Sequence, residues 1–337
     1  MCIVATPGAQ PVSSYSDIDR RAGAIDATTP DSIAKLLIAP YSRDIEKVRA
    51  IFSWVAQHIS YNTYAISSNL RRNGSTRYSA VTEDTAMEWK SAIEMTAIKV
   101  LKKRTAVCDG YAKLFKTLCD HAGLRSEIIS GYARGYMQGD RKFSSNHSWN
   151  AIMIDSVWHL LDVTWASGYF TFADQYVQRM DDTYFLTSPD QFIRDHYPED
   201  LFWALMENPP PMPEFRKMPF HCKSFVKYSI GAVSPSNGIV EAYLGDTVHI
   251  EINITNKARD KHISPDPFFD SSIIGRTLNE VYLAAIDSTS HTLKYSFRVV
   301  TPNVQWINVM YNNDVIMRYR LELKSALAIR TKERASN

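Results

Sequence analysis

The sequence predicts a domain of mixed helices and strands followed by an all-β sandwich domain. Three observations point there. Apolar residues recur at helical spacing through residues 29–38, 43–60 and from 108 onward. Three strand-like runs joined by turn residues follow, within 127–163. From about Lys227 apolar and polar residues alternate along short segments. At 337 residues two domains is the ordinary expectation, given roughly 100–200 residues per domain.

Each element has its signal. Residues 11–30 are polar and read as loosely ordered, the end of a flexible N-terminus over 1–28. Thr29-Pro30-Asp31 opens a helix that runs through Ile38 and stops before Pro40. Ile45, Val48, Ile51, Phe52, Val55 and Ile59 make one face of the next. Tyr64 to Tyr78 is rich in Ser, Asn, Arg and Gly and reads as a surface loop; a less regular helical pattern covers Thr82 to Lys103. Cys108 opens a helix with the stripe Tyr111, Leu114, Phe115 and Leu118, and Gly123 stands where a C-terminal cap glycine belongs. Glu127 to Tyr132, Ser148 to Ile154 and Trp158 to Val163 are the strands, bounded by Gly139-Asp140 and a tight turn at Asp155-Ser156. Gln175 to Arg194 returns to helix and loop, the Pro-rich Asn208 to Pro213 is a connection, and Phe215 to Phe225 reads as extended. Val240 to Tyr243, Thr247 to Ile254, Val281 to Ile286, Leu293 to Val300, Val304 to Tyr311 and Val315 to Leu323 are the sandwich strands. Tyr243, Phe268, Phe269, Tyr282, Tyr295 and Trp306 are expected in that domain's core. The domain boundaries this predicts are 29–222 and 223–330, with a frayed tail at 331–337.

Composition narrows the function. Lys and Arg number 38 against 36 Asp and Glu, a net charge of +2 with both signs interspersed, which argues against nucleic acid or an anionic membrane surface as the main partner. No apolar run approaches the ~18 residues of a membrane span. Cys2, Cys108, Cys119 and Cys222 form no CxxC pair, so zinc ribbons and thioredoxin-type motifs are excluded, and reduced thiols are expected, with one Cys108–Cys222 or Cys119–Cys222 bridge as the alternative. Cys2 to Ala5 and the small residues Pro7-Gly8-Ala9 leave two readings of the start, a remnant of a signal peptide (secreted or periplasmic) or a plain N-terminus (cytoplasmic).

Three residues carry candidate chemistry. Cys108 stands at the N-terminal end of a helix, where unpaired amides and the macrodipole favour a thiolate. Asp109 opposes this, so a positive partner is needed, and His147 at the start of a strand supplies one. If the two following strands pair through Asp155-Ser156, Trp149 comes opposite Asp162, which puts Asp162 on the face of His147. Cys108 is then the nucleophile, His147 its base and Asp162 the group that orients the ring. The backbone N–H of Cys108 is the first oxyanion donor.

At these residues the sequence resembles the transglutaminase-like superfamily of papain-type cysteine enzymes. The matching segments are Val107-Cys108-Asp109-Gly110-Tyr111-Ala112-Lys113-Leu114-Phe115, Asn146-His147-Ser148-Trp149-Asn150-Ala151 and Trp158-His159-Leu160-Leu161-Asp162-Val163-Thr164-Trp165. The leading segment Arg49 to Tyr61 fits as well. Within the superfamily the likeness is to the kyphoscoliosis peptidase and cytokinesis protein 3 group, through Tyr184 to Pro189 and Phe192 to Pro198. The likeness covers roughly residues 30–225.

The resemblance implies an α+β papain-like transglutaminase core, with a helix carrying Cys108 packed on an antiparallel sheet carrying His147 and Asp162. The trailing domain is expected to be an immunoglobulin-like β-sandwich. The implied triad needs no metal and no cofactor, and no Asp-rich loop of the kind that binds calcium is present. The implied activity is acyl transfer through a thioester: peptidase or amide hydrolase on a protein or peptide, alternatively a protein-crosslinking transglutaminase. A catalytically silent module that binds protein or glycan is the reading from another class. Gln57, or the indole of Trp54 or Trp89, is a candidate second oxyanion donor, and Trp149 and Trp165 are expected to shield the site. Cys119, His121 and His159 are expected to be structural.

Overall fold

A computed structural model describes residues 15–63, 91–134, 145–170, 176–254, 279–285 and 291–324. The chain divides into two compact units, Met1–Gly131 with Ser145–Ser188, and Tyr132–Ser144 with Pro189–Asn337. Several expectations lie outside the described residues: residues 1–14 of the N-terminal segment, the 64–78 loop, the start of the 82–103 helix, Gly139-Asp140, Trp89, Phe268, Phe269 and the tail.

In the first unit the helices are α1 (Ser16–Gly23), α2 (Pro30–Ile38), α3 (Asp44–His58), α4 (Ala92–Lys103) and α5 (Cys108–His121). The Thr29 hydroxyl caps α2 by accepting from the Ser32 amide, with Pro30 in the first turn where no amide is needed. Buried Val48, Ile51, Phe52, Trp54 and Val55 face inward along α3. Helix α5 is central, touching α2, α3 and α4. Gly110 is required there: a Cβ at that position would lie 2.8 Å from Ala106 Cβ and 3.0 Å from a Val100 methyl. Gly123, at φ +71°, ends α5 as expected.

Strand β1 (Ser60–Tyr61) pairs in parallel with β2 (Thr105–Ala106), leading directly into Cys108. The sheet behind α5 holds β3 (Ser126–Ala133), β4 (His147–Ile154) and β5 (Val157–Leu161), with β4 antiparallel to both neighbours. Asp155 and Ser156, at φ 50° and 65°, make the primed turn that matches strand twist. The ladder runs from Ile154↔Val157 to Asn150↔Leu161, the expected register. The Asn150 amide stitches sheet to helix, donating to Ala112 O at 3.1 Å and Glu127 O at 3.2 Å.

Four expectations change. Residues 16–23 are the helix α1, packed on α3 through Ile18 and Ala22; two apolar positions are too few to announce a period. The third strand ends at Leu161, because Asp162 caps a one-turn helix α6 (Val163–Ala166). Within Gln175 to Arg194, β6 (Gly168–Phe170) finds a partner in β7 (Tyr176–Gln178), a ladder too short to read in sequence. Phe215 to Phe225 is not extended: in the second unit α7 (Met212–Lys217) accepts Pro213 in its first turn, and β8 (Phe220–His221) and α8 (Lys223–Lys227) follow.

The later strands of the second unit are β9 (Ile230–Ser234), β10 (Ile239–Ala242), β11 (Thr247–Ile254), β12 (Glu280–Leu283), β13 (Thr292–Arg298), β14 (Trp306–Tyr311) and β15 (Asp314–Leu323). One sheet has the order β9-β11-β13; the other has β10-β15-β14-β12, with β8 also on β15. Ile250, Ile252, Tyr295, Ile307, Val309 and Tyr319 from both sheets share one core. Of the aromatics expected in it, Tyr295 is there. Tyr243, Tyr282 and Trp306 are half-buried outside it, and the Arg318 guanidinium lies 4.3 Å over the Trp306 ring. Facing strands give each side chain a side, and only that side decides which aromatics enter the core.

Candidate active site

The expected trio comes together in the first unit. Asp162 is fully buried and divides its carboxylate. Oδ1 accepts from the amides of Thr164 (2.8 Å) and Trp165 (3.1 Å) as the cap of α6, and Oδ2 meets His147 Nε2 at 2.6 Å. A carboxylate fixed by two amides cannot turn away, so it fixes the imidazole. With Nε2 engaged, Nδ1 is the nitrogen left for the thiol of Cys108, to which His147 is hydrogen-bonded. The rings of Trp165 and Trp149 flank that of His147, at 5.5 Å and 6.1 Å between centroids.

The electrostatics follow. Burial alone would disfavour the imidazolium, but the Asp162 carboxylate and the thiol more than offset it, and His147 is pushed up to about 10. Burial alone would raise the Cys108 thiol; the hydrogen bond and charge of His147, with the Ser148 amide, hold it below the range of a free thiol. Val107, the N-cap of α5, offers no side-chain cap. Asp109 turns to Lys113 at 2.8 Å, which pairs the charge that opposed the thiolate. The other two described cysteines differ: burial pushes Cys119 upward, and likewise Cys222 to about 12, and all three are free thiols.

Gln57 is not brought to this site. Its amide donates to Asp19 O (3.1 Å) and Ser53 Oγ (2.6 Å), which ties α3 to α1 on the surface. The Trp54 indole is committed to Ile25 O at 3.0 Å. A hydroxyl cluster that the sequence reading missed lies close by instead. Ser167 Oγ meets Tyr176 OH at 2.7 Å and Tyr111 OH at 3.4 Å, and the ring of Tyr61, whose phenol is kept protonated by burial and then by the field of Cys108, lies tilted against Tyr176 at 5.9 Å. Its one signal in the sequence is that Tyr61 closes the leading segment, and in the fold it pairs with Ala106 in the short ladder that delivers Cys108. His121 is partly exposed at the end of α5, and burial lowers His159 on β5.

Residues 31–163 match the family model of the transglutaminase-like superfamily. The chain carries a transglutaminase-like domain. Its core is α+β, with the Cys108 helix on an antiparallel sheet. The human kyphoscoliosis peptidase is 30% identical over 226 residues, 66% of this chain and 31% of that protein. Cytokinesis protein 3 of Schizosaccharomyces pombe is 23% identical over 194 residues, 56% of this chain and 19% of that protein. A structure of a candidate cysteine protease from Cytophaga hutchinsonii shares a looser likeness, at 18% identity and TM-score 0.27 over 44% of this chain and 42% of that one. The chain thus spans under a third of the length of these two curated relatives.

Proposed function

We propose that this transglutaminase-like domain is a cysteine acyl-transfer enzyme in which Cys108, His147 and Asp162 act as a triad on a protein or peptide amide. The observation that carries the reading is the 2.6 Å contact of Asp162 with His147, whose second nitrogen serves the Cys108 thiol. The thiolate attacks the amide carbonyl, and the oxyanion is met by the free amide at the head of α5. His147 then gives its proton to the leaving amine, and a thioester on Cys108 remains. Water attacks that thioester, His147 takes the water's proton, and the released acid regenerates the thiol. Hydrolysis is preferred to transamidation because the human relative carries the name of a peptidase. Attack by a protein amine in place of water would give the crosslinking reaction.

The test is the pH dependence of Cys108 alkylation by iodoacetamide, read by peptide mass spectrometry in wild type and His147→Ala. Fast modification well below the free-thiol value of about 8.5, lost in the variant, is the expected result. Equal slow rates in both would refute the triad and leave a binding module. Peptide cleavage run beside amine incorporation separates hydrolase from transglutaminase.

A further inference from the structure

The second unit contains a cavity of about 430 Å³, within the roughly 300–1,000 Å³ of small-molecule sites. Its apolar walls come from Ile193, Met206, Met218 and the run Pro209 to Pro211. Behind them Ile193, Tyr197, Ala204 and Phe215 form a small core of their own.

Among the described residues, one cation faces this space. Arg194 is half-buried, and its Nε donates to Asp190 O at 3.2 Å. No carboxylate pairs with its guanidinium among the described residues, and burial holds it below the usual arginine range. A desolvated guanidinium with open donors is the side chain best suited to bind a carboxylate through two parallel hydrogen bonds. Asp190 and Glu214 line the same cavity and are exposed. With two carboxylates against one guanidinium, a plain anion would be repelled at the mouth while a ligand carrying its own cation would not.

The walls are fixed before any ligand arrives. Three consecutive prolines have locked φ, and Arg134 donates to Phe215 O (3.1 Å) and Met218 O (3.0 Å), which pins the end of α7. A site already ordered loses little entropy on binding.

We propose that this cavity binds a small zwitterion with an apolar body, a free apolar amino acid or dipeptide. Its carboxylate lies on Arg194, its ammonium faces Asp190 and Glu214, and its side chain rests on the methionines and prolines. The site does not depend on the thioester chemistry proposed above.

Calorimetric titration of the full chain tests this with L-leucine and leucyl-leucine, against N-acetyl-leucine, which lacks the ammonium, and leucinamide, which lacks the carboxylate. Saturable binding of leucine or the dipeptide is expected, weakened about tenfold or more in each capped analogue and in Arg194→Gln, the scale of a lost charge-assisted hydrogen bond. Glu214→Gln, a surface change that leaves folding intact, should weaken leucine several-fold and narrow its advantage over N-acetyl-leucine. Binding should persist in Cys108→Ala, which separates this site from the catalytic one. The proposal is overturned by absence of saturable binding of both probes, by N-acetyl-leucine binding as tightly as leucine, or by Arg194→Gln and Glu214→Gln both leaving affinity unchanged.

Discussion

Each unit buries a histidine, and the two are driven in opposite directions. His147 in the first unit is 8% exposed and His221 in the second 2%. Burial lowers both, yet His147 ends near 10 and His221 near 3. The difference lies in the neighbours. His147 faces a carboxylate and a thiol. His221 stacks on Phe225 at 3.9 Å, its Nδ1 donates to Arg194 O at 3.1 Å, and the remaining charges near it are Arg134 and Arg194. A buried imidazole is neutral by default, and becomes a cation only where the fold supplies an anion.

The sharpest way to break this contrast is Asp162→Asn, which takes from His147 the carboxylate that His221 lacks. His147 should then lose its proton near neutrality and the thiol should rise. Alkylation of Cys108 at pH 6 is expected to fall about a hundredfold or more, the scale of a lost general-base partner. A rate within threefold of wild type, on a chain with unchanged circular dichroism, would refute the ion pair.

The pH profile is the next test. Alkylation of Cys108 should rise at a pH below that of free cysteine and stay high as the pH increases, because the thiolate persists after His147 loses its proton. Cys119 and Cys222, both raised by burial, should stay unmodified in the native protein at neutral pH. Labelling of all three at one rate would remove the distinction.

Stability carries the same signs. A histidine raised on folding contributes stability that is fully present below its unfolded value of about 6.5 and is lost as pH rises through 10. A histidine lowered on folding costs nothing above about 6.5 and destabilises increasingly as pH falls toward 3, because the unfolded chain takes the proton first. Urea melts of His221→Gln should therefore lose less stability between pH 8 and pH 5 than wild type. An identical pH slope would show that His221 is not the acid-sensitive group.

The smallest effect belongs to Gln57→Ala. Its amide serves α1, so Cys108 alkylation should stay within about twofold while stability drops by about 1 kcal/mol for the lost hydrogen bonds. A larger drop in reactivity would return Gln57 to the site.

Local signals in the sequence determined a good deal about this protein. The Pro30 helix start, the Asp155-Ser156 turn and the alternation of β4 and β5 each act within a few residues, so the chain itself specifies them. That is why the register placing Asp162 beside His147 was legible. Tertiary structure alone decided the rest. Helix α1 exists because Ile18 and Ala22 find α3, and because Arg49 joins Asp19 (2.6 Å) and Asp182 (2.6 Å) in its interior. The commitment of Gln57, the hydroxyls of Tyr61, Tyr111 and Tyr176, and the Ser148 amide at the thiol likewise join residues far apart in sequence. Periodicity reports which side of an element turns inward; which polar atom waits there is fixed only when another element arrives.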